Sequence, residues 1–253
     1  RQDMDSSGRI QRIYQNRENP DNTFTALTDL NYGYTSPGGK KTSSVYAIDD
    51  PTFNFHVDYG YDTSGRITYE YSSKNNVKRS ENDYAYDANS NMTSQSTWVS
   101  PTQTLSATSS YNAANQMTQV SGDFSMALTY DANGAWTGDD QGGAASYDER
   151  GRTTAMTQRG PDAPGSQAME YDGGSQVERT RAGATTFTNS LLGVTSSTVG
   201  GQTTEYVLAP DGRVLGQVQP NGDSFYYLRD RLGSTIGVTN ESGQRVNDYW
   251  YDP

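Results

Sequence analysis

One histidine, no cysteine and a few close carboxylate pairs set the chemistry open to this chain. His56 lies in Phe53-Asn54-Phe55-His56-Val57-Asp58. In an extended strand Asp58 falls on the same face two residues on, where it could orient the imidazole as a general base. A Ser-His-Asp hydrolase would have to use this histidine, yet no Gly-x-Ser-x-Gly elbow accompanies it. The better reading makes His56 a strand residue whose face lies opposite Phe53, Phe55 and Val57. Asp49-Asp50-Pro51 and Asp139-Asp140 are carboxylate pairs, but neighbouring residues of a strand point to opposite faces, which works against shared acid-base chemistry. Asp87-Ala88-Asn89-Ser90-Asn91 and Asp131-Ala132-Asn133-Gly134 alternate oxygen ligands as calcium loops do, without the terminal bidentate Glu. Turn capping accounts for them. Gly142-Gly143 and Gly173-Gly174 lack the lysine and helix of a phosphate loop. The expectation is a non-enzymatic chain with no catalytic residue, metal or cofactor.

What does recur is a phrase: tyrosine, then Asp or Asn, two spacers, and Gly or a substitute. It reads Tyr61-Asp62-Thr63-Ser64-Gly65-Arg66-Ile67, Tyr130-Asp131-Ala132-Asn133-Gly134 and Tyr147-Asp148-Glu149-Arg150-Gly151-Arg152, with looser copies at Tyr86-Asp87, Tyr111-Asn112 and Tyr171-Asp172. Weaker copies are Met4-Asp5-Ser6-Ser7-Gly8-Arg9-Ile10, Pro210-Asp211-Gly212-Arg213 and Thr239-Asn240-Glu241-Ser242-Gly243-Gln244. Such self-similarity marks one small unit stacked many times. Asp or Asn opens a hairpin turn by bonding backbone two residues on, and Gly at the fourth position supplies the positive φ that returns the chain. Tyr61 and Arg66 are expected to meet across the ladder and stack. Asn115 suits the left-handed position in its copy; Ser90 and Ser175 suit it less, so their turns are expected to be of another type.

The elements that carry these turns are strands. Tyr59/Tyr61, Tyr69/Tyr71, Tyr84/Tyr86 and Tyr249/Tyr251 alternate with period two, and helical periodicity is hard to find. Only 32% of the 253 residues are hydrophobic, and mean hydropathy is −0.88, too polar for a thick dry core. Nineteen tyrosines separate the chain from disordered sequences, which are poor in aromatics. A formal charge of −11 argues against nucleic acid and anionic membranes as partners. No segment is apolar for long enough to insert as a membrane helix, and the start at Arg1, with neither Met nor signal-peptide pattern, reads as a piece of something longer. Residues 16–50, with Pro20, Pro37, Gly38 and Gly39, and the Gly/Ser/Thr-rich 182–205 lack the phrase and are expected to be irregular. No linker divides residues 1–253, so a single ribbon is expected.

The phrase resembles the YD repeats of Rhs proteins, of the C component of insecticidal toxin complexes and of teneurins. The end of the chain resembles the Rhs repeat-associated core: Tyr206 through Ala209-Pro210-Asp211-Gly212-Arg213, then Tyr226-Tyr227-Leu228-Arg229-Asp230-Arg231-Leu232-Gly233-Ser234, then Gly243 and Tyr249-Trp250-Tyr251-Asp252-Pro253. That resemblance implies an all-β array of antiparallel hairpins forming a curved, spiralling ribbon, a partial shell or barrel-like wall, around a toxin polypeptide. It also implies a secreted or cell-surface bacterial protein. At about ten residues per strand and ~4.8 Å between strands, the chain makes roughly 25 strands and a hoop about 40 Å across, too little to close a cocoon alone. Further copies of itself are therefore a second partner class, giving an extracellular self-assembling or adhesive protein as the alternative. Exposed tyrosine rows make glycan a third.

Overall fold

The computed structural model describes residues 2–34, 41–47, 54–160, 165–173, 178–249 and 251. The expectations placed on Phe53, Asp49-Asp50-Pro51, Pro37 to Gly39, Gly174, Ser175, Trp250, Asp252 and Pro253 lie outside the described residues, as do those on the side chain of Phe55.

The described residues are all-β and contain no helix. The chain forms two compact units, residues 1–108 with 227–253, and residues 109–226. In the first, β1 (Gln2–Met4), β2 (Ile10–Glu18), β3 (Phe24–Tyr34), β4 (Lys41–Ala47), β5 (Asn54–Tyr61), β6 (Ile67–Lys74), β7 (Val77–Tyr86), β8 (Met92–Ser100) and the start of β9 (Gln103–Tyr111) follow one another. Each pairs antiparallel with the next. The second unit carries β10 (Met117–Gly122), β11 (Met126–Tyr130), β12 (Trp136–Asp139), β13 (Ala144–Tyr147), β14 (Thr153–Thr157), β15 (Ser166–Tyr171), β16 (Arg179–Ala182), β17 (Thr185–Ser190), β18 (Gly193–Val199), β19 (Gln202–Leu208) and β20 (Val214–Val218). These pair in sequence order, and β20 pairs on to β21 (Ser224–Arg229). The first unit ends with β22 (Thr235–Asn240) and β23 (Arg245–Asp248), which pair with each other. The unit boundaries fall inside β9 and β21, so no linker separates the units.

Two stretches expected to be irregular are regular strands. Residues 16–50 hold the end of β2 and all of β3 and β4, and 182–205 holds β17, β18 and most of β19. Pro20 and the Gly200-Gly201 pair sit in tight turns rather than in loops. Asn19-Pro20-Asp21-Asn22-Thr23 closes β2 onto β3, with the Asn19 N–H on the Thr23 carbonyl at 2.8 Å and the Asn22 N–H on the Asn19 carbonyl at 3.0 Å; Pro there presets the φ of a type I turn. Gly200 and Gly201, at φ 57° and 79°, are the two-residue loop between Val199 and Gln202. Positive φ at both central residues is what a type I′ hairpin demands, and glycine meets it without strain. Asn75-Asn76, at φ 51° and 62°, do the same between Lys74 and Val77.

The core of the first unit is thin. Ile13, Leu30, Tyr32, Leu228 and Ile236 form its buried cluster, with Ile10, Leu27 and Tyr34 packed at its margin. Leu30, 1% exposed, contributes ~1.5–3 kcal/mol by its burial. Polar side chains share the interior: Thr28, Glu70, Ser72, Asn82 and Thr239 are buried too.

Candidate functional site

The site built most often by this sequence is the repeated turn. In the Asp62 copy the Asp62 N–H donates to the Arg66 carbonyl at 3.0 Å and the Gly65 N–H to the Asp62 carbonyl at 3.1 Å. This is a type I turn closed by a left-handed residue, Gly65 at φ 89°. The Asp62 carboxylate accepts the Arg66 N–H on Oδ1 at 2.9 Å and the Arg66 Nε–H on Oδ2 at 2.7 Å. Bonding of the Arg66 backbone N–H holds the Asp62 carboxyl below its ordinary value. The Asp5 and Asp148 copies repeat this pattern with Arg9 and Arg152. In the Asp131 and Asp230 copies the carboxylate accepts two turn amides, Asn133 and Ala135 in one, Leu232 and Ser234 in the other. Asn112 and Asn240 accept the corresponding pairs through their amide oxygens.

The residue that closes the turn varies without changing it. Ser90 at φ 70° and Asn115 at φ 59° occupy the position of Gly65, Gly134, Gly151, Gly233 and Gly243, with the same two backbone bonds. The separate turn type expected for Ser90 is therefore overturned: the Asp87 cap, bonded to the Asn89 and Asn91 amides at 2.9 Å each, outweighs the modest cost of a left-handed serine. In the Tyr171-Asp172 copy the Asp172 N–H donates to the Glu178 carbonyl, at 2.9 Å. In the Asp211-Gly212 copy the turn opens at Ala209, so Asp211 stands third and caps the Arg213 N–H at 3.1 Å.

Tyrosine works over a longer reach than the sequence suggests. In an antiparallel meander every second connection lies on the same edge, and successive motif turns are neighbours there. The Tyr86 hydroxyl donates to the carbonyl of Ile67, the residue just after the preceding turn, at 2.7 Å. Tyr130 bonds Met117 at 2.7 Å, Tyr147 bonds Trp136 at 2.8 Å, and Tyr171 bonds Thr153 at 3.0 Å. Tyr34 on Ile10 and Tyr251 on Thr235 complete the series. The arginines follow: Arg66 lies over the Tyr86 ring at 4.8 Å, Arg152 over Tyr171 at 4.9 Å and Arg9 over Tyr34 at 4.5 Å. Arg66 also donates to the Asp87 carbonyl at 2.8 Å. The stacking expected between Tyr61 and Arg66 within one copy is seen instead between copies, with Arg66, Arg152 and Arg9 each over a tyrosine further along the chain. At Tyr61, Tyr86, Tyr130, Tyr147 and Tyr171 the strand register shifts by one residue; bulges of this kind add local bend and twist.

The chemical candidates resolve into structure. His56 Nε2 and Asp58 Oδ2 are 2.9 Å apart, with side chains 38% and 46% exposed. Asp58 does share the face of His56, and the adjacent Val57 points to the buried side. Ser73 stands across the ladder from His56, but a half-exposed pair on a strand surface supplies no enclosed site for a substrate. Asp139 and Asp140 part company: Asp139 caps its own turn through the Gln141 and Gly143 amides, while Asp140 caps Ala127. The Gly142-Gly143 pair closes that turn. Among the described residues no group of three or more His, Asp or Glu is placed to hold a metal ion, and Oδ1 of Asp87 and Oδ1 of Asp131 each accept two turn amides. A shallow recess of about 200 Å³ lies between copies, lined by Arg66, Ile67, Tyr84, Tyr86, Ser90 and Met92. Two turns of Pro-Asp or Pro-Asn type, Asn19–Thr23 and Gln219–Asp223, escape the sequence reading; the signal that finds them is Pro, then Asp or Asn, then Gly or Asn.

No known protein-family model matches this sequence. A stretch of 148 residues, 56% of the chain, is 28% identical to the tRNA3(Ser)-specific nuclease WapA of Bacillus spizizenii, and it takes in 6% of that protein. The solved Photorhabdus luminescens Tc holotoxin pore matches 99% of this chain and 15% of its own, at TM-score 0.59 and 14% identity. A crystal structure of TcdB2-TccC3 matches at TM-score 0.59 and 14% identity, over 99% of this chain and 16% of that one. A TcdB2-TccC3-Cdc42 structure matches at 0.57 and 13%, over 100% and 17%. The chain therefore spans a small fraction of each protein it resembles. What hairpin order, capped turns and these superpositions establish together is the fold, the Rhs-like YD-repeat ribbon of the Tc toxin structures.

Proposed function

We propose that this chain is a stretch of structural wall in a larger, secreted bacterial toxin of the Rhs type, and that its work is mechanical: containing and delivering a toxic polypeptide encoded outside this stretch. It catalyses no reaction. The observation that carries the reading is the tyrosine staple, which at six tyrosines ties the chain to the backbone just after the preceding motif turn. Backbone ladders alone leave hairpins free to splay at their turns; the hydroxyl-to-carbonyl bonds of Tyr34, Tyr86, Tyr130, Tyr147, Tyr171 and Tyr251 tie neighbouring turns together within each unit. The fold shared with the Tc toxin structures supports the same reading, as does likeness to a nuclease far longer than this chain. The test uses the product of the whole reading frame. Limited proteolysis is expected to leave a toxin segment intact inside a resistant wall while its amides exchange freely. Rapid digestion of that segment beside an intact wall would overturn the reading.

A second reading, assembly of copies into filaments, rests on the apolar surface of the second unit. Leu191 is fully exposed at the tip between β17 and β18, and Leu192, Val207, Leu215 and Tyr226 are about half exposed. Sedimentation over a range of concentrations separates the two: mass rising with concentration supports assembly, and a constant monomer mass supports a wall segment.

A further inference from the structure

Inside the first unit, the last strands of the chain lie on the first hairpin through side chains. Leu228 and Ile236, 3% and 8% exposed, cover Ile13, Leu30 and Tyr32. Three polar ties flank this contact, and in each a hairpin side chain meets backbone of the late segment. Gln15 Oε1 accepts the Arg229 N–H at 3.2 Å, the Tyr32 hydroxyl accepts the Arg231 N–H at 3.0 Å, and the Arg17 guanidinium donates to the Ser242 carbonyl. The turn at Gly243 bottoms against the hairpin: a Cβ there would stand 3.2 Å from both Arg17 Cδ and Leu27 Cδ2.

The described ladders do not cross this seam. β2 pairs with β1 and β3, β3 with β2 and β4, and β23 with β22. The β20 ladder on β21 ends at Tyr226, while β21 runs on to Arg229. Everything beyond Tyr226 can therefore leave the first hairpin without breaking a described strand pairing of that hairpin. The residues that meet are separated in sequence by 199, 214 and 225 positions, so the hairpin is made long before its cover.

We propose that Tyr227–Asp248 is a strap, which closes over the β2–β3 hairpin as the last step in building the first unit and opens ahead of the rest of it. The inference goes beyond containment and does not depend on it. Until the strap arrives, Ile13, Leu30 and Tyr32 stand uncovered and the unit stays open; once seated, it seals the unit by side-chain packing and the three polar ties, without a described strand ladder to the hairpin. Three ties to backbone let it dock with little regard for its own side chains beyond Leu228 and Ile236.

The chain has no cysteine, so single-cysteine variants report opening directly. Leu228→Cys and Leu30→Cys are expected to react with a thiol reagent at matching rates, at least tenfold faster than Val57→Cys, which is equally buried in the same unit but away from the seam. Labelling of all three at one rate would overturn the strap. Hydrogen exchange on the cysteine-free chain guards against variants that merely unfold. Gln15→Ala is expected to speed exchange of the Arg229 amide at least tenfold and leave the amides of β6 and β7 unchanged. Uniform acceleration throughout the unit, or none at Arg229, would contradict it.

Discussion

Replacing Tyr86 by Phe isolates the staple from everything else that tyrosine does. The ring stays, and with it the stacking of Arg66 at 4.8 Å; only the hydroxyl bond to the Ile67 carbonyl, 2.7 Å long and partly buried, is lost. A bond of this kind is worth about 1 kcal/mol net. At the entropy of unfolding of a domain this size, that lowers Tm by ~2–4 °C. Tyr86→Ala removes the ring as well, giving up its packing and its contact with Arg66, and is expected to cost ~3 kcal/mol. Calorimetry together with urea unfolding measures both, with Tyr226→Phe, at a ring half exposed on the surface, as the control expected to stay within ~0.3 kcal/mol of the parent. The reasoning fails if Tyr86→Phe matches the parent, because the staple then contributes nothing, or if it matches Tyr86→Ala, because the ring is then irrelevant.

Turn carboxylates give a pH dependence. Asp62, Asp5 and Asp148 are held below the ordinary value of 3.8, first by a backbone N–H of the arginine four residues on, and Asp87 first by the Asn91 side chain. A depressed folded value means that stability is full above the unfolded value and is lost as pH falls through the folded one. The urea midpoint should therefore be flat above about pH 5 and drop below the ordinary aspartate value, with a shallower drop in Asp62→Asn. Gly151→Ala, with open space around it but φ 75°, should cost ~1 kcal/mol by backbone strain alone. Gly143→Ala should cost at least as much for another reason: its Cβ would stand 2.4 Å from Asp139 Oδ2, a carboxylate that is 0% exposed and paired with Arg159. Denaturant titration of both tests the distinction. His56→Ala should change stability by less than ~0.5 kcal/mol, since a solvent-exposed polar contact is worth little; a loss above ~1 kcal/mol would assign the pair a structural role.

The turns were legible because their chemistry is local. An Asp that bonds amides two and four residues on, and a Gly that must turn left-handed, write themselves into five consecutive positions, so Asp62-Gly65 and Asp148-Gly151 could be read directly. The partner of each tyrosine could not. Tyr86 reaches Ile67 only because the meander sets β6 beside β7, and nothing in the spacing of 19 residues says that the bond skips a connection. Residues 16–50 misled for a related reason: Pro20 and its polar neighbours resemble a loop until Asn19 and Asn22 are seen closing a tight turn. The seam was invisible altogether, since Leu30 and Leu228 carry no mark of each other. Of the chemical candidates, His56 and Asp58 met as period-two alternation requires, while Asp139 and Asp140 dispersed into two different caps.

Amide hydrogen exchange on Tyr130→Phe tests the central claim, that the repeat couples each hairpin to the one before it. The Tyr130 hydroxyl sits on β11 and its acceptor, Met117, begins β10. Protection is expected to fall in both strands, severalfold, with β17 to β19 unchanged. Loss confined to the Asp131 turn, with β10 as protected as before, would contradict the account.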